Sequence, residues 1–144
     1  MPHKQVLFVC TGNYYRSRFA EIYFNFLMQG SNWSAFSKGF VANNPNNIGA
    51  ISPHTLAKLK EYDISIPVNL KYPEKLSLQD IHSCEMVVAV QEREHLPFVE
   101  RQFPEMIEKF IFWNIDDVHD NAPDQAIPLL KKEVEKLVDV LNRF

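Results

Sequence analysis

Cysteine and glycine are both scarce in this chain. Its 144 residues include only two cysteines, Cys10 and Cys84, and four glycines. The cysteines are far apart in sequence, and neither belongs to a C-x-x-C pair or a Cys/His ligand pattern, which argues against a disulfide scaffold and a zinc site. With 46% apolar and 23% charged residues, the composition is that of an ordinary globular protein rather than a disordered one.

An excess of positive charge and a long apolar run are also missing. The net charge of -3 and the pI near 5.9 provide no broad basic surface, so we do not expect a nucleic-acid partner. The first residues are followed by neither a long apolar segment nor a small-residue cleavage site, so we expect neither secretion nor membrane insertion and predict a cytoplasmic protein. The length suits one hydrophobic core, which predicts a single domain over residues 1–144.

Strand patterns recur along the chain. Short continuous apolar runs predict buried strands of a parallel sheet, and a weaker run between the first two predicts one more. The predicted strands cover residues 5–10, 33–40, 84–90 and 109–113.

Helix patterns alternate with these strands. Apolar residues at three- and four-residue steps predict a helix from Arg16 to Gln29 and a long C-terminal helix that ends near Leu141. Ser52 followed by Pro53 is a helix start signal. Another helix is expected near Pro97, which either starts or interrupts it. The alternation predicts a three-layer α/β sandwich with right-handed crossovers, in which ligands bind beyond the carboxyl ends of the strands.

The segment VLFVCTGNYYRSRFAE joins the first predicted strand to the first predicted helix. Cys10 ends the strand and Arg16 starts the helix, so backbone N–H groups and the positive end of a helix dipole converge between them. Gly12 allows backbone angles that other residues resist, and Asn13 tolerates a left-handed conformation. The arginine adds a planar fork of donors that matches two oxygens of a tetrahedral anion. We therefore predict an anion-binding loop.

A cysteine at the centre of such a loop has a specific chemistry. The amides and the charge that hold an anion also stabilise a thiolate, and Ser17 can donate a hydrogen bond to the sulfur. Cys10 is then a nucleophile at neutral pH, and the C-x5-R-S spacing describes a thiolate that attacks a phosphoryl group. The alternative is a buried cysteine at a strand end, followed by a solvated arginine at a helix start.

The loop sequence VCTGNYYRS resembles the phosphate-binding loop of the low-molecular-weight protein tyrosine phosphatases. The likeness continues in the segments SKG, EMVVAV and FWNIDD and so covers most of the chain. The resemblance implies that Cys10 is the nucleophile and that Arg16 binds the phosphate. It also implies that Ser17 supports the thiolate and that Asn13 holds the loop.

The same resemblance implies a fold, a substrate and an intermediate. The fold is an α/β three-layer sandwich with a four-stranded parallel sheet, helices on both faces and the phosphate loop after strand 1. The substrate is a phosphotyrosine protein or a small aryl phosphate, hydrolysed through a phosphocysteine without a metal or other cofactor. The phosphate is held by the loop residues Thr11, Gly12, Asn13, Tyr14, Tyr15, Arg16 and Ser17. No oligomeric state is implied.

A general acid is also needed, because a proton helps a phenolate to leave and the loop contains no carboxylate. The family places this acid in an Asp-Pro dipeptide shortly after the last strand. Counting from the tryptophan of WNIDDVHD assigns the acid to Asp117, with Asp116 and Asp120 as alternatives. Val118 replaces the usual proline, which leaves this loop less rigid.

Aromatic residues are available to line the pocket. We expect Phe40 and His119 to contribute walls that receive an aryl ring, with Tyr14 and Tyr15 at the rim or in loop support. Tyr15 stands where many family members have a second cysteine that can form a reversible disulfide with the nucleophile. Cys84 is interpreted as a small buried core residue.

Two other functions fit part of the pattern. Thioredoxin-coupled arsenate reductases resemble this family in fold and in the C-x5-R-S loop, but they need further cysteines after the third strand, where this chain has Gln91. A phosphate- or phosphotyrosine-binding module would keep the loop and lose turnover through the altered acid loop at Val118. Capture of a small aryl phosphate without hydrolysis favours the binding module.

Overall fold

Within the part of the chain that the structure describes, four parallel strands form one sheet. The computed structural model describes residues 3–118 and 120–143. The strands are β1 (Lys4–Cys10), β2 (Trp33–Gly39), β3 (Met86–Ala89) and β4 (Phe110–Phe112). They lie in the order β2-β1-β3-β4, and each neighbouring pair is parallel. The predicted four-stranded parallel sheet is confirmed, although β3 and β4 are shorter than predicted.

Helices connect and flank these strands. They are α1 (Arg16–Leu27), α2 (Pro53–Glu61), α3 (Leu78–Ser83), α4 (Glu92–Gln102) and α5 (Pro123–Leu141), with a 3₁₀ helix at Pro104–Lys109. The start signal of α2 is confirmed, since the Ser52 hydroxyl accepts a hydrogen bond from His54 N–H at 3.1 Å. Among the described residues, none of the helices combines the length and the hydrophobicity that crossing a bilayer requires.

The α3 helix was not predicted from the sequence. Its signal is a capping box, in which the Ser77 hydroxyl accepts from Asp80 N–H at 3.2 Å and the Asp80 carboxylate accepts from Ser77 N–H at 2.9 Å. A helix of six residues is too short to show an apolar repeat. Because α3 ends at Ser83, Cys84 lies between the helix and β3, and the prediction that it opens the strand was wrong.

The α4 helix is neither started nor interrupted by Pro97, contrary to the prediction. It begins at Glu92, where the Gln91 side chain accepts a hydrogen bond from Arg93 N–H at 3.3 Å. Pro97 is exposed and lies within the helix. The first turn of α4 therefore follows directly on β3, and its side chains lie at the carboxyl end of the sheet.

The side chains of β1 alternate between two apolar clusters, one on each face of the sheet. Val6 and Phe8 pack in a cluster with residues of α1 and α5, whereas Leu7 and Val9 pack in a cluster with residues of α3 and α4. This alternation confirms the predicted three layers and fixes the end of β1, where Cys10 stands, between them.

Candidate active site

The loop between β1 and α1, residues 11–15, lies at the carboxyl end of the sheet. Its carbonyl oxygens, with that of Cys10, accept hydrogen bonds at 2.8–3.1 Å from neighbouring segments: Phe40 N–H to Cys10, Val41 N–H to Thr11, Ser52 N–H to Tyr14 and the Thr55 hydroxyl to Tyr15. Within the described residues, the N–H groups of residues 11–15 donate to no protein acceptor. No described side chain caps the start of α1, and its first turn contains no acidic residue. The free N–H groups and the helix dipole suit an anion.

A glycine of β2 allows the loop to pack closely against the strand. A Cβ atom on Gly39 would lie 2.8 Å from the Thr11 carbonyl oxygen and 2.8 Å from the Asn13 nitrogen, which is closer than real Cβ contacts come. Gly12 has no positive φ, so the turn does not use the left-handed conformation that a glycine allows. Asn13 does adopt one, with a φ of 52°, as predicted.

The Asn13 side chain is held by four hydrogen bonds. Its Nδ2 donates to the Ser17 hydroxyl at 3.0 Å and to the Ser37 hydroxyl at 2.8 Å. Its Oδ1 accepts from Glu74 N–H at 3.0 Å and from Lys71 Nζ at 3.4 Å. The left-handed backbone of Asn13 is therefore fixed from α1, from β2 and from the segment before α3.

Cys10 lies at the centre of this arrangement and is almost fully buried. Its Sγ is 3.0 Å from the Ser17 Oγ. Because that hydroxyl already accepts a hydrogen bond from Asn13, its own proton is available to the sulfur. A thiolate at this point would receive a hydrogen bond from a side chain that is itself held in place.

The Arg16 guanidinium lies beside the loop and is also buried. It donates from Nη2 and Nη1 to the two carboxylate oxygens of Glu94, at 2.7 and 3.2 Å, and from Nη1 to the Ile115 carbonyl at 2.9 Å. Its Nη2 is 3.7 Å from the Asp117 carboxylate. Burial opposes the charged form, but the bond to Glu94 and the nearby Cys10 outweigh it and raise the pKa of Arg16 above its ordinary value.

Glu94 is a site residue that the sequence patterns did not identify. Besides Arg16, it accepts a hydrogen bond from the Thr11 hydroxyl and lies 3.1 Å from Nε2 of the fully buried His95. Burial alone would raise the pKa of Glu94, but the hydrogen bonds from His95 and Arg16 hold it well below the usual range. Burial lowers the pKa of His95. The carboxylate is therefore ionised next to the loop.

The three candidate aspartates have different surroundings. Asp117 lines the cavity in front of the loop, and its Oδ1 accepts a hydrogen bond from Val118 N–H at 2.8 Å. The Asp116 carboxylate instead accepts a hydrogen bond from the Gln91 side-chain Nε2 at 2.5 Å, and Asp120 is exposed. Of the three, Asp117 has the carboxylate that faces the cavity beside Arg16.

The cavity in front of Cys10 has a volume of about 660 Å³. One wall is an asparagine-rich segment that the sequence patterns gave only as a turn: Asn43, Asn44, Asn46 and Asn47. Val41 and Val118 add apolar surface. The prediction that Phe40 forms a wall was wrong, because its ring is buried on the other face of the sheet, stacked on Phe98 at 5.2 Å between centroids. His119 lies outside the described residues.

The two loop tyrosines both line this cavity. The Tyr14 hydroxyl donates to the Ile48 carbonyl at 2.5 Å and so ties the asparagine-rich segment to the loop. Tyr15 is buried, and within the described residues its hydroxyl has no hydrogen-bond partner. Burial and the nearby Asp117 carboxylate raise the pKa of Tyr15 to about 12, so it remains a neutral phenol.

Cys84 is not part of the site. It is buried in the apolar cluster on the α3 and α4 face of the sheet, as predicted, and it forms no disulfide. Burial raises the pKa of its thiol, which keeps the sulfur in its unreactive form.

A sequence profile of the low molecular weight phosphotyrosine protein phosphatases matches residues 5–141. Among curated proteins, none matches this chain. The chain therefore belongs to the low molecular weight phosphotyrosine protein phosphatase family.

Solved structures agree with this placement. A low molecular weight protein tyrosine phosphatase from Streptococcus pyogenes superposes with a TM-score of 0.82 at 19% identity, over 96% of this chain and 93% of that chain. The low molecular weight protein tyrosine phosphatase from T. tengcongensis superposes with a TM-score of 0.79 at 26% identity, over 94% of this chain and 98% of that chain. The YwlE arginine phosphatase from Geobacillus stearothermophilus superposes with a TM-score of 0.71 at 27% identity, over 96% of this chain and 90% of that chain.

The family fixes the class of reaction. Its members are cysteine-dependent hydrolases of phosphate esters, so the predicted family, fold and enzyme class are confirmed. By family the chain is a low molecular weight phosphotyrosine protein phosphatase, and the arsenate reductase alternative is not favoured.

Proposed function

We propose that this phosphatase hydrolyses phosphotyrosine or small aryl phosphates through a phosphocysteine on Cys10. The observation that carries the proposal is the 3.0 Å contact between Cys10 Sγ and Ser17 Oγ, at the centre of a loop whose N–H groups are unpaired among the described residues. In the first step the thiolate attacks phosphorus, the P–S bond forms and the P–O bond to the phenol breaks. In the second step water attacks phosphorus, the P–S bond breaks, and phosphate and the thiolate are released.

Arg16 is proposed to bind the phosphate, together with the loop from Thr11 to Ser17. Loop N–H groups supply donors around the anion, and the guanidinium supplies a planar pair on one side. The charge that the phosphoryl oxygens carry in both transition states is thus met by groups already in place. No step requires a metal or another cofactor.

Asp117 is proposed as the general acid of the first step and the general base of the second. It would protonate the departing phenolate and then take a proton from the attacking water. Its position at the cavity, 3.7 Å from the Arg16 Nη2, supports it over Asp116, which is bound to Gln91.

We propose that residues 1–144 act as one domain and that the enzyme works in the cytoplasm, where a reducing environment keeps the Cys10 thiol free. The substrate class is proposed from the family description, whereas one structural relative carries the name arginine phosphatase. Phosphoarginine therefore belongs among the substrates to be tested.

The first test compares Cys10→Ser with Cys84→Ser. Phenyl phosphate, a phosphotyrosine peptide and phosphoarginine are offered to each variant, and phosphate release is measured. We expect the wild type and Cys84→Ser to hydrolyse the two aryl substrates equally, and Cys10→Ser to lose at least about a thousandfold in rate. Cys10→Ser should still bind inorganic phosphate, because the loop is unchanged.

Activity of Cys10→Ser above a contamination control contradicts the covalent mechanism. Phosphate binding by the wild type without any turnover favours the binding module instead. Preferential hydrolysis of phosphoarginine would overturn the aryl phosphate assignment.

A further inference from the structure

We propose that Glu94 is a positioning residue for Arg16, which holds one end of the guanidinium so that its Nε–Nη2 edge is presented to the phosphate. This inference rests on the proposed function, in which Arg16 binds the phosphate. It concerns a carboxylate that lies beside an anion site, where a negative charge would ordinarily oppose binding.

The donors of Arg16 are divided between two edges. Nη1 is used by the Ile115 carbonyl at 2.9 Å and by a Glu94 oxygen at 3.2 Å, and Nη2 donates to the other Glu94 oxygen at 2.7 Å. Nε is buried and has no hydrogen-bond partner within the described residues. The free donors are therefore Nε–H and the second proton of Nη2, which lie on the same side of the planar group.

This free edge has the spacing of two phosphoryl oxygens. Two parallel N–H donors from a guanidinium bind two oxygens of a tetrahedral anion, which accounts for the strength and directionality of such pairs. A buried donor without a partner costs free energy, and a bound phosphate would remove that cost. The Nη1 and Nη2 end is closed by Glu94, so rotation of the guanidinium would break a buried ion pair.

Glu94 is itself held by a second layer of contacts. The Thr11 hydroxyl donates to Glu94, and His95 Nε2 lies 3.1 Å from the same oxygen. Gln91 N–H donates to His95 Nδ1 at 3.1 Å, which leaves the proton of a neutral imidazole on Nε2, toward Glu94. Because Thr11 follows the nucleophile directly, Glu94 links the first turn of α4 to the phosphate loop.

The test is a double-mutant cycle. Glu94→Gln, Arg16→Lys and the double variant are measured for kcat and KM with an aryl phosphate, and for affinity to inorganic phosphate by calorimetry. Glu92→Gln is the matched control, since Glu92 is an exposed carboxylate in the same first turn of α4. In the wild-type background we expect Glu94→Gln to lower kcat/KM by about 10- to 100-fold, a loss typical of a misplaced binding group, and to weaken phosphate binding. In the Arg16→Lys background Glu94→Gln should lower kcat/KM by less than about threefold, because the guanidinium edge that Glu94 positions is no longer present.

The proposal would be overturned if Glu94→Gln had wild-type kinetics. It would also be overturned if Glu94→Gln lowered kcat/KM by the same factor in the wild-type and Arg16→Lys backgrounds. If Glu94→Gln does not fold, Glu94→Asp replaces it, because aspartate keeps the charge but has a shorter side chain. The same result is expected: a loss of kcat/KM in the wild-type background and a much smaller loss in the Arg16→Lys background. The two proposals fail separately. A wild type without turnover contradicts the proposed function, whereas inactive Cys10→Ser and Arg16→Lys beside an unaffected Glu94→Gln contradict this inference alone.

Discussion

Cys10, Ser17 and Asn13 form a short chain of side-chain hydrogen bonds that ends at the sulfur. Asn13 donates to Ser17, and Ser17 has its proton free for Cys10. Each member of the chain is buried, so none needs to be reorganised when a substrate arrives. The hydrogen bond to the sulfur is therefore already in place for both steps of the proposed mechanism.

The proposed role of Asp117 as general acid predicts a dependence on the leaving group. We expect Asp117→Asn to slow phenyl phosphate, with its basic leaving group, by about 10²–10⁴-fold, the range typical of general acid catalysis. The loss should shrink for aryl phosphates whose phenols are more acidic, since these leave without a proton. The quantity measured is kcat/KM across phenols of graded acidity, because it reports the first step and does not include hydrolysis of the phosphocysteine.

Asp116→Asn and Asp120→Asn are the matched controls, and neither should show this leaving-group dependence. A steep dependence in Asp120→Asn would move the acid to that residue. If none of the three variants shows it, the acid is not in this segment.

Individual site residues were predictable to different degrees. Cys10, Arg16 and Ser17 were predicted as site residues because their spacing and their place between a strand and a helix describe one local structure. Glu94 was not, because it lies in the charged run QEREH, where nothing in the sequence shows which carboxylate faces inward. Only tertiary packing, which places the first turn of α4 next to the phosphate loop, brings it to Arg16.

At the scale of elements, the site depends on the close packing of β2 against the phosphate loop. The strand ends at Gly39, directly under the backbone of Thr11 and Asn13. A side chain there has no room, because both contacts are backbone atoms that cannot rotate away. The loop's conformation is therefore set by its neighbour as well as by its own residues.

Gly39→Ala tests this dependence. The added methyl group should displace the loop, lower kcat/KM by at least about tenfold and cost about 1–3 kcal/mol of stability, as overpacking typically does. Thermal unfolding and steady-state kinetics measure the two effects.

Gly30→Ala is the control for a glycine lost elsewhere. Gly30 has a φ of 80°, and no described residue lies within 4 Å of an added Cβ, so its replacement should cost stability through backbone strain alone. We expect its kcat/KM to be unchanged. Equal activity of the two variants would show that the loop does not depend on Gly39.

Elements with strong periodic patterns were predicted well, and short ones were not. Long apolar repeats gave α1 and α5, continuous apolar runs gave β1, β3 and β4, and the weaker run at residues 33–40 gave β2. The α3 helix was missed because it has six residues and only its capping box marks it. The α4 helix was misplaced because Pro97 suggested a break, although the start was marked by Gln91.

At the scale of the whole molecule, two apolar clusters hold the sheet from both faces and place Cys10 at the end of a buried central strand. The family and the fold follow from this arrangement together with the loop sequence. The pocket walls could not be predicted from the sequence. The asparagine-rich segment reaches the cavity only through tertiary packing, and Phe40 packs in the cluster on the α3 and α4 face of the sheet.

The most direct test of the covalent mechanism is to trap the phosphorylated enzyme. Wild type and Asp117→Asn are mixed with a reactive aryl phosphate and quenched in acid during turnover, and the phosphorylated residue is identified by peptide mass spectrometry. We expect one phosphoryl group on Cys10, and more of it in Asp117→Asn, where hydrolysis of the phosphocysteine should be slowed. Turnover with no phosphoryl group on Cys10 in either protein, or with the group on another residue, would contradict the mechanism.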